Sequence, residues 1–182
     1  MQARSLPLAI EVVLCLLLVS SCSHRVKDCR LFPSLEPAEC EQTGDGNIIV
    51  KPASLARVAF GPEGLSAILV DDRTFYFVNR QGKTAPALAF DNGPDYVSEG
   101  LARTVLNGKV GFVNTHLDVV VAPVWDFAYP FERGSARVCM GCVPTGGEHK
   151  TVTGGKWGYI DQRGIVVVPV AYDAATLPPG PR

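Results

Sequence analysis

Six cysteines and three histidines hold most of the chemistry open to this 182-residue chain. Cys139-Met140-Gly141-Cys142 places two thiols three positions apart, and His149 follows in the same stretch. Two thiolates and an imidazole are zinc-type ligands, but a structural zinc site takes about four. The fourth would have to come from Cys29 or Cys40. A Cys-x-x-Cys pair can instead cycle between thiol and disulfide, which calls for a helix N-terminus to lower a thiol pKa. Here the motif ends a β-type run and enters a Gly/Pro-rich insertion that continues through Val143–Val152 and carries Glu148, His149 and Lys150. The third arrangement is two local disulfides, Cys139 with Cys142 and Cys29 with Cys40, the ordinary fate of thiols in an oxidising compartment. Four cysteines allow three pairings. The disulfides are the expected arrangement. A metal-binding or thiol-redox protein acting through Cys139, Cys142 and His149 is the alternative.

No other group of residues makes a catalytic constellation. Gly-rich phosphate loops, Gly-x-Ser-x-Gly and His-Glu-x-x-His are absent. His24, His116 and His149 are scattered, and Asp71-Asp72, Asp91 and Asp95 fall where turns are expected, a backbone role common for Asp. A calcium role for Asp91–Asp95 lacks the six to eight or so oxygens that ion takes. Lys+Arg is 17 against 18 Asp+Glu, a net charge of −1. Nucleic-acid binding draws on a basic excess to displace counterions, so nucleic acid is not an expected partner. The expectation is a protein that is not an enzyme and holds no cofactor or metal.

The elements around these residues begin with a leader. Arg4 gives a basic start, Val12–Val19 is apolar, and Val19-Ser20-Ser21-Cys22 ends the segment. This is the pattern of an export signal, and its apolar run is far short of the roughly 20 residues that span a bilayer. The ending resembles the bacterial lipobox, position by position. That resemblance implies a lipoprotein signal peptide over residues 1–21, removed with Cys15, and lipid on Cys22. Multiple acyl chains anchor stably where one does not. Ser23, rather than Asp, follows the cysteine, which by the same resemblance points to an outer-membrane lipoprotein facing the periplasm. Residues 22–45 are polar, contain Pro33 and Pro37, and read as a tether.

The remainder is periodic. Prolines close β-rich runs at Pro52, Pro86, Pro123 and Pro169, glycines open small or apolar runs at Gly64, Gly100, Gly134 and Gly180, and an aromatic–aliphatic–Asn/Asp triplet recurs as Phe77-Val78-Asn79, Phe112-Val113-Asn114 and Tyr159-Ile160-Asp161. All three markers give a period of about 35 residues, with one insertion of about 12. Each unit reads as three strands, such as Leu101–Leu106, Gly111–Asn114 and Val119–Val124. Asn79-Arg80-Gln81-Gly82 and Asp161-Gln162-Arg163-Gly164 are hairpin turns. Asn114-Thr115-His116-Leu117 lacks the glycine, so a different turn is expected there. Aromatic–Asp pairs, Phe90-Asp91, Trp125-Asp126 and Tyr172-Asp173, read as packing anchors between units.

Gly155-Lys156-Trp157-Gly158-Tyr159-Ile160-Asp161, then Gly164, Val167-Val168-Pro169 and Tyr172-Asp173, resemble the WG-repeat family closely. Val110-Gly111 and Phe75-Tyr76 stand at the Trp-Gly positions of the other units. The resemblance covers about residues 46–180 and implies an all-β fold in units 64–99, 100–133 and 134–179, with binding or scaffolding as the role. The orphan strand Ile48–Lys51 is expected to pair into the last unit and close a compact barrel- or propeller-like domain. The function that follows is a non-catalytic, lipid-anchored binding or scaffold module for an envelope protein or glycan, its ligand-binding residues unspecified. A structural envelope lipoprotein without a discrete ligand is a further alternative.

Overall fold

The computed structural model of the chain describes residues 24–25, 28–43, 47–90, 93–145 and 151–181. The leader, Cys22, Asp91 and His149 lie outside them. More than half of the described chain is antiparallel strand, and helix is confined to one turn. A front segment comprises β1 (His24–Arg25), β2 (Cys29–Phe32), β3 (Cys40–Gln42), β4 (Ile48–Val50) and one helical turn, α1 (Pro52–Leu55). The first unit is β5 (Leu65–Val70), β6 (Thr74–Asn79) and β7 (Thr84–Pro86), followed by a small hairpin of β8 (Ala89–Phe90) and β9 (Gly93–Pro94). The second is β10 (Leu101–Leu106), β11 (Lys109–Asn114) and β12 (Val119–Trp125). Strand β13 (Phe127–Ala128) leads into the third, β14 (Ser135–Thr145), β15 (Thr151–Asp161) and β16 (Val166–Tyr172). The sheets run β1-β3-β4, β2-β5-β6-β7, β10-β11-β12 and β13-β14-β15-β16. Three three-stranded units at the expected positions make this an all-β repeat fold.

The recurring triplet has a local cause. Its last residue folds the hairpin turn with its own side chain, accepting two backbone N–H groups on one oxygen. Asn79 Oδ1 accepts from Gln81 and Lys83 at 3.1 and 3.0 Å. Asn114 Oδ1 accepts from His116 and Asp118, both at 2.9 Å. Asp161 Oδ1 accepts from Arg163 and Ile165, both at 2.9 Å. The second unit's turn was expected to differ for want of glycine, and it does not. Leu117 adopts φ 61°, the left-handed conformation of Gly82 (78°) and Gly164 (82°). Leucine is strained there. Its side chain, 3% exposed, is buried with Phe77 and Ala85 of the first unit, which offsets the strain.

Glycine at the Trp-Gly position answers to the neighbouring strand. The β11–β12 and β15–β16 ladders both slip register there, between Val110 and Phe112 and between Trp157 and Tyr159. The slip pushes the third strand's backbone against the glycine. A Cβ on Gly111 would overlap the Val121 carbonyl and come within 2.6 Å of Pro123 N, and one on Gly158 would lie 2.5 Å from the Val168 carbonyl. In the first unit β6 and β7 pair without a slip, and Tyr76 sits opposite Pro86. Gly111→Ala is therefore expected to cost about 1–3 kcal/mol through overpacking, read as a lower urea midpoint at unchanged slope. Tyr76→Gly should not tighten its unit.

Successive units dock turn onto strand. The Asn114–Leu117 turn seats on the first unit, with Asn79 Nδ2 donating to the His116 carbonyl at 3.3 Å and Lys83 paired to Asp118 at 2.5 Å. The Asp161–Gly164 turn lies on β12, where a Cβ on Gly164 would stand 3.2 Å from Val121. Gln162 and the Gly134 N–H both donate to Glu99, at 3.1 and 2.9 Å.

Two expectations about the chain's start are corrected. Ile48–Val50 does not pair into the last unit. It pairs with β3 and meets β7, where Thr84 Oγ1 donates to the Ile48 carbonyl at 2.5 Å. The sheets form no closed barrel. The physical reason is that β2 already pairs with β5 and Cys29–Cys40 ties β2 to β3, so the front segment is committed to the first unit. For the same reason residues 29–42 are not tether. Cys29, Leu31, Cys40, Ile48 and Val50 form one apolar cluster with Ile68, Val70 and Val78.

Candidate functional site

The first strands of units two and three begin alike, Gly100-Leu101-Ala102-Arg103 and Gly134-Ser135-Ala136-Arg137. Strand alternation directs each arginine to the same face, toward the segment that precedes its unit. In unit two that segment supplies a carboxylate. Arg103 Nη2 and Nε donate to Asp95 Oδ1 and Oδ2 at 2.6 and 2.8 Å, the forked geometry in which guanidinium and carboxylate bond best. Nη1 donates to the Ala128 carbonyl at 2.9 Å, and the Arg103 backbone N–H also reaches Asp95. The two side chains are 2% and 0% exposed. Asp95, read from sequence as a turn residue with a remote calcium role, is instead the buried counter-ion of a structural arginine.

Unit three keeps the arginine and lacks the acid. Counting back from Gly100 and Gly134, the place of Asp95 is held by Tyr129. In the backbone Tyr129 stands where Leu88 does in unit two: its N–H donates to the Arg137 carbonyl at 2.8 Å, as Leu88 N–H donates to the Arg103 carbonyl at 3.2 Å. Arg137 lies over the Trp157 ring at 4.2 Å and the Tyr129 ring at 5.5 Å, held by the ring quadrupoles rather than by a charge. Its Nε is buried without a hydrogen-bond partner among the described residues. No described carboxylate pairs with it. The guanidinium lines an open cleft of about 570 Å³ with Tyr96, Tyr129, Tyr159, Ser98, Ser135 and Glu132. Tyr96 and Tyr129 are exposed at its rim, 57% and 42%. A guanidinium with no described carboxylate, backed by aromatic rings and near hydroxyls, is a ready anion-recognition site.

The cysteines meet in the pairs expected of local disulfides, Cys29 with Cys40 and Cys139 with Cys142, at Cα separations of 6.0 and 6.2 Å. Their setting differs from expectation. Cys139 and Cys142 lie inside β14, not at its end, on either side of a one-pair gap in an otherwise in-register ladder, where Gly141 faces Gly155. The 12-residue insertion lengthens the β14–β15 hairpin. The second bridge is buried against Trp157, with Leu177 packed on it. No cluster of three or more metal-ligating side chains occurs among the described residues. Asp126 fills this gap on the β14 side, its carboxylate accepting from Lys109 Nζ at 2.5 Å and from the Gly141 N–H at 2.6 Å. The Lys109 bond, then the Gly141 bond, holds the Asp126 carboxyl below the usual carboxylate range. A carboxyl depressed in the folded state adds stability above its unfolded pKa of about 4 and loses it as pH falls through the folded value. Melting temperature should fall as pH drops below about 4, and Asp126→Asn should flatten part of that fall.

Of the residues singled out from sequence, only the cysteines are brought together. His116 sits in a turn, and the backbone of His24 lies in β1. Trp125 is a core residue at 9% exposure, as a packing anchor should be, whereas Tyr172 is 36% exposed on the edge strand β16. The arginine cleft escaped the sequence reading. Its signal was the repeated Gly-x-Ala-Arg, with an acid five residues before the first glycine and a tyrosine before the second.

The WG containing repeat model matches residues 111–141 and 157–177, which run from β11 into β14 and from the end of β15 past β16. No curated protein and no solved structure matches the chain.

Proposed function

We propose that this WG-repeat protein is a non-catalytic binding module of the bacterial cell envelope, anchored by lipid on Cys22 and presenting the Tyr96–Tyr129–Arg137 cleft to an envelope protein or glycan. The observation that carries the reading is the unpaired Arg137 guanidinium in an open cleft, one unit after an identical arginine whose charge is fully met. A scaffold residue buries its counter-ion, and a recognition residue waits for one. The lipobox resemblance at Val19–Cys22 supports the anchor, and the outer membrane facing the periplasm is the location it favours. Two disulfides suit an oxidising compartment. Among the described residues no helix is long and apolar enough to cross a membrane, so attachment would rest on the lipid.

The test is an intact mass of protein extracted from membranes, native and denatured, with alkylation before and after reduction. Acyl mass at Cys22, two disulfides and no extra native mass are expected. A photo-crosslinker at Tyr96 should capture one recurrent envelope component in cells. An unacylated chain, free thiols at Cys139 and Cys142, or no recurrent adduct would defeat the reading.

A further inference from the structure

We propose that the cleft binds a carboxylated sugar, its carboxylate on Arg137 and its ring against the tyrosines; the assignment rests on the binding-module reading and specifies its ligand. The charge of the ligand follows from the repeat. In unit two the same guanidinium takes a single carboxylate in forked geometry from Asp95. In unit three no described carboxylate meets the guanidinium, which lines an open cleft. A ligand carboxylate on its Nη groups supplies the counter-ion that Asp95 gives Arg103, since Nε is closed off. Trp157 and Tyr129 lie 4.2 and 5.5 Å from the guanidinium on one side of it, their rings 6.0 Å apart, and the arginine lines the cleft where an anion can meet it. A phosphate dianion is a poorer match. The only other cation lining the cleft, Arg133, is 70% exposed and lies 3.7 Å from Glu132.

The rest of the ligand follows from the lining. Three tyrosines line the cleft and offer aromatic surface to the C–H face of a pyranose, and their hydroxyls, Ser98, Ser135 and Glu132 can bond to sugar hydroxyls. A peptide C-terminus brings the same carboxylate but finds less. The backbone at the cleft is already paired, Glu132 N–H to the Ser135 carbonyl at 2.9 Å and Ser135 N–H to the Glu132 carbonyl at 3.2 Å. That turn offers no free backbone for the main-chain pairing peptides use.

The experiment titrates the lipidated full chain in detergent with glucuronic acid, glucose, acetate and acetyl-trialanine, followed by tryptophan fluorescence and calorimetry. Glucuronic acid should bind at least about tenfold tighter than each of the others, the discrimination one charge-assisted forked pair supplies. Arg137→Gln should abolish the preference. Arg137→Lys, which keeps the charge and loses the fork, should weaken binding by about tenfold. Tyr129→Asp puts a carboxylate beside Arg137, where the tyrosine ring now lies, and should block binding while the chain still melts cooperatively. Equal binding of acetate, tighter binding of the peptide, or full binding by Tyr129→Asp overturns the assignment. If glucuronic acid fails while the crosslinker at Tyr96 still captures one component, the ligand class falls and the module stands. If both fail, both fall.

Discussion

Asp95→Ala is expected to remove about 3–5 kcal/mol of stability, the usual cost of stranding one member of a buried ion pair. Arg103 would keep its bond to the Ala128 carbonyl and lose its forked counter-ion in a position almost closed to water. Whole domains carry about 5–15 kcal/mol, so the variant should sit near the edge of folding. Urea unfolding followed by tryptophan fluorescence reads the change. The double variant Asp95→Leu with Arg103→Met should recover much of the loss, because replacing a buried pair by apolar volume is often close to neutral. A single-variant loss under about 1 kcal/mol would mean that solvent reaches the pair. Arg137→Met, by contrast, should cost little through charge, since no described carboxylate depends on it.

Trp157→Ala is expected to be comparably severe, about 3–5 kcal/mol. The ring is 1% exposed, donates its Nε1–H to the Gly154 carbonyl at 2.9 Å, and packs on the Cys139–Cys142 bridge. It also forms the floor under Arg137. Trp157→Phe separates these roles. It retains a ring beneath the guanidinium and loses the bond to Gly154, so about 1 kcal/mol should go and the cleft should survive. Thermal melting gives the stability, and sugar titration of the phenylalanine variant gives the cleft. A phenylalanine variant as unstable as the alanine variant would place the ring's contribution in the hydrogen bond.

What was legible in the sequence is what repeats. Proline, glycine and the aromatic–aliphatic–Asn/Asp triplet recur because each meets a local demand of the hairpin, and local demands leave local signatures. The side-chain-capped turns at Asn79, Asn114 and Asp161 show this plainly. Two features were not legible. The front segment looked like tether because its buried residues are few and interrupted by prolines. Their burial comes from pairing with β5, more than 35 residues away. The Arg103–Asp95 pair was hidden because its members sit on either side of a unit boundary, so a reading unit by unit assigns them to different contexts. The cleft was hidden for the complementary reason. It is made by a residue missing from a pattern, and absence shows only after the pattern has been explained by a contact.

The turn-onto-strand docking of neighbouring units gives the array a direction in time. The turn of each unit rests on the third strand of the unit before it, Leu117 on the first and Gly164 on the second. A later unit therefore docks on a surface that the earlier one has already formed. Chains are synthesised N-terminus first, so each hairpin emerges to find its seat already built. Nearest-neighbour coupling of this kind makes assembly processive, and a lesion in the first unit should propagate forward to the arginine cleft while a lesion in the third should leave the first intact.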